Sequence, residues 1–226
     1  MASLTAKAAL VLAGTGVLAI GGWSYATAWR PSLDRYPLQG IDLGESPPAQ
    51  IEWGTVRASG ADFAYLVATS GADRRDPAFE AHWAALPEAG LRRGAVHLYS
   101  LCQPGAAQAN AFNTFVPRAA DALPMAVEVA YRADCAARPT TPALTTQLRR
   151  FVAMVEAHTG KPVLLRVSRD MESDHAVSSA IARPAWVMAN FARAGYTATP
   201  WRMWRASDVA RVDGIEGAVS WNVVAP

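Results

Sequence analysis

The chain has 226 residues, of which 51% are hydrophobic and 18% are charged, and its formal net charge is +2. This length favours one domain, and the apolar fraction is sufficient for that domain to bury a core. The charge is too small and too scattered for nucleic-acid binding, and no basic patch with interleaved aromatic residues occurs.

The N-terminus contains an uncharged segment long enough to cross a membrane. No charged residue lies between Lys7 and Arg30, and a helix over the intervening residues would extend roughly 33 Å. We predict an uncleaved single-pass anchor, because signal-peptide cores are usually only about 7–15 residues long and because aromatic residues cluster at its far end. The alternative is a signal peptide cleaved after Ala26-Thr27-Ala28.

Small residues recur along one face of this predicted anchor, at spacings of three and four: Ala6, Ala9, Ala13 and Gly16. Such faces let membrane helices approach closely. We therefore expect the anchor to pack against an integral-membrane partner, unless the pattern is a chance result of the alanine-rich composition. Residues 1–35 are predicted to be the anchor and a polar linker, and residues 36–226 the folded domain.

Beyond the linker, short apolar runs typical of buried strands alternate with helical segments. The predicted strands are Gly40–Leu43, Phe63–Thr69, Ala95–Tyr99, Met125–Val129, Val163–Val167, Trp186–Ala189, Trp201–Trp204 and Ala218–Val223. The predicted helices are Pro77–Ala89, Ala106–Phe115, Pro142–Thr159 and Met171–Ile181. This alternation predicts a parallel α/β architecture with both faces of the sheet covered.

The two cysteines each follow one of these predicted strands. Cys102 comes after Ala95–Tyr99, and Cys135 comes after Met125–Val129. If the two strands are parallel neighbours, both thiols lie at the same end of the sheet, and we predict a disulfide between them. Disulfides persist in oxidising compartments, which predicts a domain in the periplasm or outside the cell, held at the inner membrane. The alternative is two unrelated buried thiols.

The order and spacing of several segments resemble one enzyme family. These segments are Gly40–Leu43, Gly94–Tyr99, Pro124–Ala130 and Val212–Asn222. Together they are similar to the glycoside hydrolase family 25 muramidases, the lysozyme-like enzymes that cut peptidoglycan. The resemblance covers nearly all of the chain beyond the N-terminus. It implies an irregular TIM-like β/α barrel, in which functional groups lie at the C-terminal ends of the strands.

The resemblance also implies two catalytic acids, and one of them is missing. The family's catalytic strand typically contains Asp-x-Glu, which corresponds here to Glu128, Val129 and Ala130. Asp42 and Glu128 are the surviving candidate catalytic acids, but alanine stands where the resemblance places the proton donor. Further departures from the family pattern occur at Val67, Ser70, Gly44-Glu45, Arg205 and Ser220.

The remaining polar and aromatic candidates each have a structural alternative. His97, Tyr99 and Trp204 are candidate substrate-binding residues, although a hydrogen-bonded interior histidine and core aromatic residues are the competing interpretations. Asp42 could instead be a strand-end carboxylate bonded by loop amides, and Glu128 requires a partner if it is buried. The histidines lack metal-ligand spacing and no phosphate loop occurs, so we predict no metal and no cofactor.

These observations predict a membrane-anchored, periplasmic, muramidase-like domain without hydrolytic activity. It would act as a structural or accessory subunit of a membrane protein complex, or as a peptidoglycan-binding module. The alternative is an active muramidase that uses Asp42 and Glu128.

Overall fold

The computed structural model describes residue 15, residues 18–193 and residues 195–226. Residues 18–28 form a helix, α1, whose side chains are exposed up to residue 25. In this described part of the chain, no helix has both the length and the apolar character needed to span a membrane. The predicted small-residue face of Ala6, Ala9, Ala13 and Gly16 lies outside the described residues.

The domain is a closed barrel of eight strands with a ninth strand at its edge. In the described residues the strands are β1 (Gln39–Leu43), β2 (Phe63–Ser70), β3 (Arg74–Arg75), β4 (Arg92–Leu98), β5 (Ala126–Val129), β6 (Leu164–Val167), β7 (Ala185–Met188), β8 (Trp201–Ala210) and β9 (Val219–Val224). The sheet order is β1-β9-β8-β7-β6-β5-β4-β2-β3, and a parallel pairing of β1 with β2 closes the barrel. Only β9 and the short β3 run antiparallel to their neighbours.

Helices cover the outside of the barrel unevenly. They are α2 (Trp53–Ala58), α3 (Phe79–Glu88), α4 (Gly105–Phe115), α5 (Thr141–Thr159), α6 (Arg169–His175) and α7 (Val177–Ala180). The single helix expected over Met171–Ile181 is divided at Ala176, whose φ of 47° interrupts the helical backbone. The described chain has no helix between β7 and β9. The predicted α/β barrel is confirmed, with an irregular helix layer.

Strand β2 shows how the barrel is filled. All eight of its residues are buried, and successive side chains point to opposite faces. Phe63, Tyr65 and Val67 pack inside the barrel, while Ala64 and Leu66 belong to the core between the sheet and the helices. This arrangement produces the continuous apolar run expected of a strand covered on both faces.

Residues 29–38, which we call the strap, pack along the outside of the sheet where helices are absent. Tyr36 is buried, with ring centroids 6.0 Å from Trp204 and 6.2 Å from Trp201. The side chain of Gln39 donates hydrogen bonds to the carbonyls of Pro31 and Tyr36, each at 2.9 Å. The predicted polar linker ends at residue 35, and residues 32–35 are exposed, whereas Pro31 and Tyr36 on either side of them are buried.

The predicted disulfide between Cys102 and Cys135 is confirmed. The two sulfur atoms are 2.06 Å apart, and no free cysteine remains. Cys102 follows β4 and Cys135 follows β5, and these strands pair in parallel. The bond therefore joins two loops at the end of the barrel where the parallel strands finish.

Removal of this bond is expected to destabilise the domain. The sequence separation of 33 residues corresponds to about 3–4 kcal/mol in the chain-entropy model. We predict that a Cys102→Ser/Cys135→Ser variant loses about that much free energy of unfolding in urea denaturation. The oxidised parent protein serves as the control, and unchanged stability after removal of both thiols would contradict the prediction.

Candidate functional site

The carboxyl ends of the parallel strands form one end of the barrel, which we call the mouth. It is bounded by the last residues of these strands: Leu43, Ser70, Leu98, Val129 and Val167. Just inside it lie Asp42 of β1, Glu128 of β5 and Arg166 of β6. The structure therefore brings together the two predicted acids, and it places a third charged residue between them.

Arg166 forms ion pairs with both acids. One guanidinium nitrogen is 2.9 Å from Asp42 Oδ2, and the other contacts a carboxylate oxygen of Glu128. The side chains of Arg166 and Asp42 are each 5% exposed, and that of Glu128 is 18% exposed. Burial lowers the pKa of Arg166, but the charges of Glu128 and Asp42 and their hydrogen bonds outweigh burial, so the pKa lies above its ordinary value. The guanidinium is permanently charged.

Two further interior side chains hold this cluster in place. Asn222 of β9 donates a hydrogen bond to Asp42 Oδ1 at 2.8 Å and accepts one from the indole nitrogen of Trp186 at 2.9 Å. Arg166 lies over the Trp186 ring, 4.5 Å from its centroid. Both carboxylate oxygens of Asp42 are therefore hydrogen-bonded, one to Arg166 and one to Asn222.

A second group of charges lies above this cluster, in the loops at the mouth. Arg132 pairs with Glu45 at 2.7 Å and with Asp134 at 3.6 Å, and Arg74 pairs with Asp134. These side chains are 22–51% exposed, so each pair contributes at most about 1 kcal/mol. Together they connect the loops that follow β1 and β5 with strand β3 at the mouth.

Ala130 lies directly after the last residue of β5 and is partly buried. Its methyl group cannot exchange a proton. The acids of the nearby loops, Glu45 and Asp134, are both paired with arginines. The site thus contains two carboxylates bound to a buried cation and no third carboxyl group at the position where the resemblance expects a proton donor.

His97, Tyr99 and Trp204 do not join this site. His97 and Tyr99 lie on the outer side of β4, where their rings pack against Phe151 of α5 at 4.6 and 5.6 Å. Trp204 packs against the strap, and its indole nitrogen donates to the carbonyl of Ala189. The three side chains belong to the core between the sheet and its cover. The competing interpretation of these residues as interior side chains therefore describes their positions in this structure.

The hydrogen bonds of His97 define its protonation state. The amide nitrogen of Gln108 donates to the carbonyls of Ser100 and Gln103, so its oxygen must accept from His97 Nε2, at 3.1 Å. His97 Nδ1 then accepts from the hydroxyl of Thr69, at 2.7 Å. Burial lowers the pKa of His97 to about 4, opposed by the hydrogen bond with Gln108. The ring is a neutral, fully bonded core residue.

Arg166 is the site residue that the sequence interpretation missed. The sequence does contain an indication of this role, because an arginine interrupts the apolar strand Val163–Val167. A buried arginine requires a negatively charged partner. The need of Glu128 for a partner was recognised, but the identity of that partner depends on strand pairing. Glu128 and Arg166 are directly opposite each other in the register of β5 and β6.

Cavities away from the ion-pair cluster differ in size, and one beside the disulfide, lined by Tyr99, Leu101 and Gln147 among others, measures about 320 Å³. A cavity of about 170 Å³ at the opposite end of the barrel is lined mainly by apolar side chains, including Phe63, Tyr65, Leu164 and Met203. That volume is below the usual range for small-molecule sites, about 300–1,000 Å³. In the described residues, no three metal-ligating side chains are grouped as they would be around an ion.

Comparison with known proteins gives a consistent family. The model of the glycosyl hydrolases family 25 matches residues 45–215. The chain is 30% identical over 194 residues to the uncharacterised protein YegX of Escherichia coli K12, covering 83% of this chain and 70% of YegX. It is 28% identical over 204 residues to lysozyme M1 of Streptomyces globisporus, covering 84% and 68%. The crystal structure of a bacterial lysozyme from Streptomyces coelicolor matches with a TM-score of 0.75 and 27% identity, covering 84% and 92%.

The buried ion pairs generate a stability prediction. Arg166→Leu leaves Asp42 and Glu128 without a counter-charge, which typically costs about 3–5 kcal/mol. We expect urea denaturation at neutral pH to show a loss of that size. The triple variant Arg166→Leu/Asp42→Asn/Glu128→Gln should recover most of it, because no buried charge remains.

The matched control for this prediction is Arg74→Leu, which breaks an exposed pair and should change stability by at most about 1 kcal/mol. Equal effects of the Arg74 and Arg166 variants would contradict a buried, mutually dependent charge cluster.

A second prediction follows from the pKa of His97. Since the folded-state pKa of about 4 lies below the unfolded value of about 6.5, the unfolded state binds more protons in this window. Stability therefore rises with pH from about 4 to 6.5, and His97 accounts for about 3 kcal/mol of this change. The free energy of unfolding of His97→Leu should depend less on pH across that window. Parallel pH profiles for the parent and variant would disprove the assignment.

Proposed function

The chain belongs to family 25 of the glycosyl hydrolases, and we propose that it is a member that has retained the lysozyme-like barrel without retaining hydrolysis. The observation that carries the proposal is the position of Arg166 between the two surviving acids. The domain would then serve as an accessory subunit of a membrane protein complex or as a peptidoglycan-binding module.

The chemistry of glycoside hydrolysis supports this proposal. The reaction usually needs one carboxyl group that donates a proton and a second that stabilises or activates the opposite side of the sugar. Both surviving acids are instead engaged in ion pairs with the guanidinium of Arg166. General acid catalysis typically contributes about 10²- to 10⁴-fold, and neither Asp42 nor Glu128 is placed to provide it.

The second role is hindered as well. Both oxygens of Asp42 are hydrogen-bonded, and the guanidinium of Arg166 lies between the acids. A sugar hydroxyl that bonded to Asp42 would compete with Arg166 and Asn222 for its oxygens, whereas the Glu128 side chain is 18% exposed at the mouth. Ala130 adds no acid at the rim, and the ion pairs among Glu45, Arg132, Asp134 and Arg74 further occupy the mouth.

An active muramidase is the second candidate function. Two acids do lie just inside the mouth, and two of the similar proteins are named lysozymes. In this alternative, substrate binding would move Arg166 away and free Glu128 to donate a proton.

We also propose that the domain is held at the inner membrane and faces the periplasm or the exterior. The disulfide supports an oxidising compartment. The uncharged N-terminal segment supports an anchor through which an integral-membrane partner would be bound. A cleaved signal peptide is the competing fate of the same segment.

The test of inactivity is an assay for reducing ends released from purified peptidoglycan. We expect no release above a buffer control, under conditions in which lysozyme M1 of Streptomyces globisporus is active. Ala130→Glu alone should not restore turnover, because Arg166 would still neutralise the other two acids. Turnover by the parent protein that disappears in Asp42→Asn and in Glu128→Gln would instead establish the active alternative.

A further inference from the structure

The cavity of about 320 Å³ beside the disulfide lies on the outside of the barrel. Its walls come from the loop after β4 and from the start of α5 with the residues before it, and they include Leu101, Pro104, Pro139 and Leu144. None of the described residues that line this cavity carries a charge. Its volume lies within the usual range for small-molecule sites, about 300–1,000 Å³.

One side of the cavity is formed by Tyr99, whose hydroxyl group bonds no other residue in the described part of the chain. The ring packs against Phe151, and only 2% of the residue is exposed. Burial raises the pKa of Tyr99 above its ordinary value, so the hydroxyl is protonated at neutral pH. Buried polar groups are normally hydrogen-bonded. This hydroxyl is therefore available to a group that enters the cavity.

A second available donor belongs to Gln147. Its side-chain oxygen accepts a hydrogen bond from the backbone nitrogen of Gly105 at 3.0 Å, whereas its amide nitrogen bonds none of the described residues. A methyl group at Gly105 would lie 3.1 Å from the Tyr99 hydroxyl and would overlap the backbone carbonyl of Gln147. The close approach of α4 to α5 at this glycine thus brings the residues that carry the two donors together.

The disulfide connects the two walls of the cavity. Cys102 lies in the wall that contains Leu101 and Pro104, and Cys135 comes shortly before Pro139 of the other wall. Because a covalent bond joins the two loops, the shape of the cavity is largely fixed before a ligand arrives. Such preorganisation reduces the cost of ordering the site on binding.

We propose that this cavity binds the acetamido group of an N-acetylated amino sugar in a glycan chain. The inference rests on the peptidoglycan-binding form of the proposed function. The apolar walls suit the methyl group, and an uncharged lining favours a neutral ligand. The carbonyl oxygen of the acetamido group can accept hydrogen bonds from the hydroxyl of Tyr99 and the amide nitrogen of Gln147.

This site would separate binding from the barrel interior. The ion-pair cluster of Arg166 lies inside the barrel, whereas Tyr99 lies on the outer side of β4. A glycan held in the cavity would leave the ion pairs of Arg166 intact. The domain could then bind peptidoglycan without access to the two acids.

The experiment is isothermal titration calorimetry of the full chain, in mild detergent, with the trimer of N-acetylglucosamine. The matched ligand is cellotriose, which has the same linkage and carries a hydroxyl in place of each acetamido group. We expect the first to bind and the second not to bind. Tyr99→Phe should weaken binding about three- to tenfold through loss of one hydrogen bond. It should leave the melting temperature unchanged, because the hydroxyl bonds none of the described residues.

A second variant blocks the cavity without altering the core. Ala143 lines the cavity and is exposed, so Ala143→Trp should abolish measurable binding. The control is Ala153→Trp, at an exposed position farther along α5, which should bind the trimer as the parent does. Affinity that is unchanged in both Tyr99→Phe and Ala143→Trp would refute the site, and equal affinity for cellotriose would refute acetamido recognition.

Two further measurements distinguish this inference from the proposed function. N-acetylalanine amide should bind more weakly than the trimer, and equal affinity would indicate a peptide ligand and overturn the sugar. A parent protein that sediments with insoluble peptidoglycan but does not bind the trimer would keep the binding module and overturn this site. A parent protein that binds neither would overturn both. Cleavage of the trimer would refute the loss of hydrolysis, and the inference with it.

Discussion

The ion pairs of Arg166 with Asp42 and Glu128 are the interaction on which the centre of this barrel depends. Charges inside a closed barrel are costly unless they are paired and hydrogen-bonded. Here one cation satisfies two anions, and Asn222 satisfies the remaining oxygen of Asp42. Under the proposed function, the two acids are retained because they compensate the buried positive charge of Arg166, which in turn compensates theirs.

This cluster also explains how the barrel can be intact without a sugar site. Its members come from five strands: Asp42 from β1, Glu128 from β5, Arg166 from β6, Trp186 from β7 and Asn222 from β9. In an active hydrolase the acids at these positions would line the substrate cleft. Here Asp42 and Glu128 would instead connect strands of the barrel through Arg166. Buried ion pairs add little net stability compared with apolar packing, so their value would lie in specifying one arrangement of the strands.

Contacts between separate segments also hold the outer parts of the domain together. The disulfide joins the loops after β4 and β5, ion pairs connect the loops at the mouth, and the strap covers the sector without helices. The aromatic residues of the strap replace the helices that would otherwise cover β8. The strap therefore completes the core in this sector.

Local pattern predicted the succession of most strands and the disulfide, and the family resemblance implied the barrel class and the missing acid at Ala130. An apolar run indicates a buried strand whichever face of the sheet its side chains cover. The order of the family's motifs along the chain can also be recognised when many individual residues differ. Pattern could not assign faces, because strands covered on both sides are apolar throughout, and so both the substrate-binding and the core interpretations of His97, Tyr99 and Trp204 stayed open. Tertiary structure alone decided two features. Arg166 pairs with Asp42, which is 124 residues away in the chain, and the strap packs on the outside of the sheet. Only closure of the barrel brings these groups within contact distance.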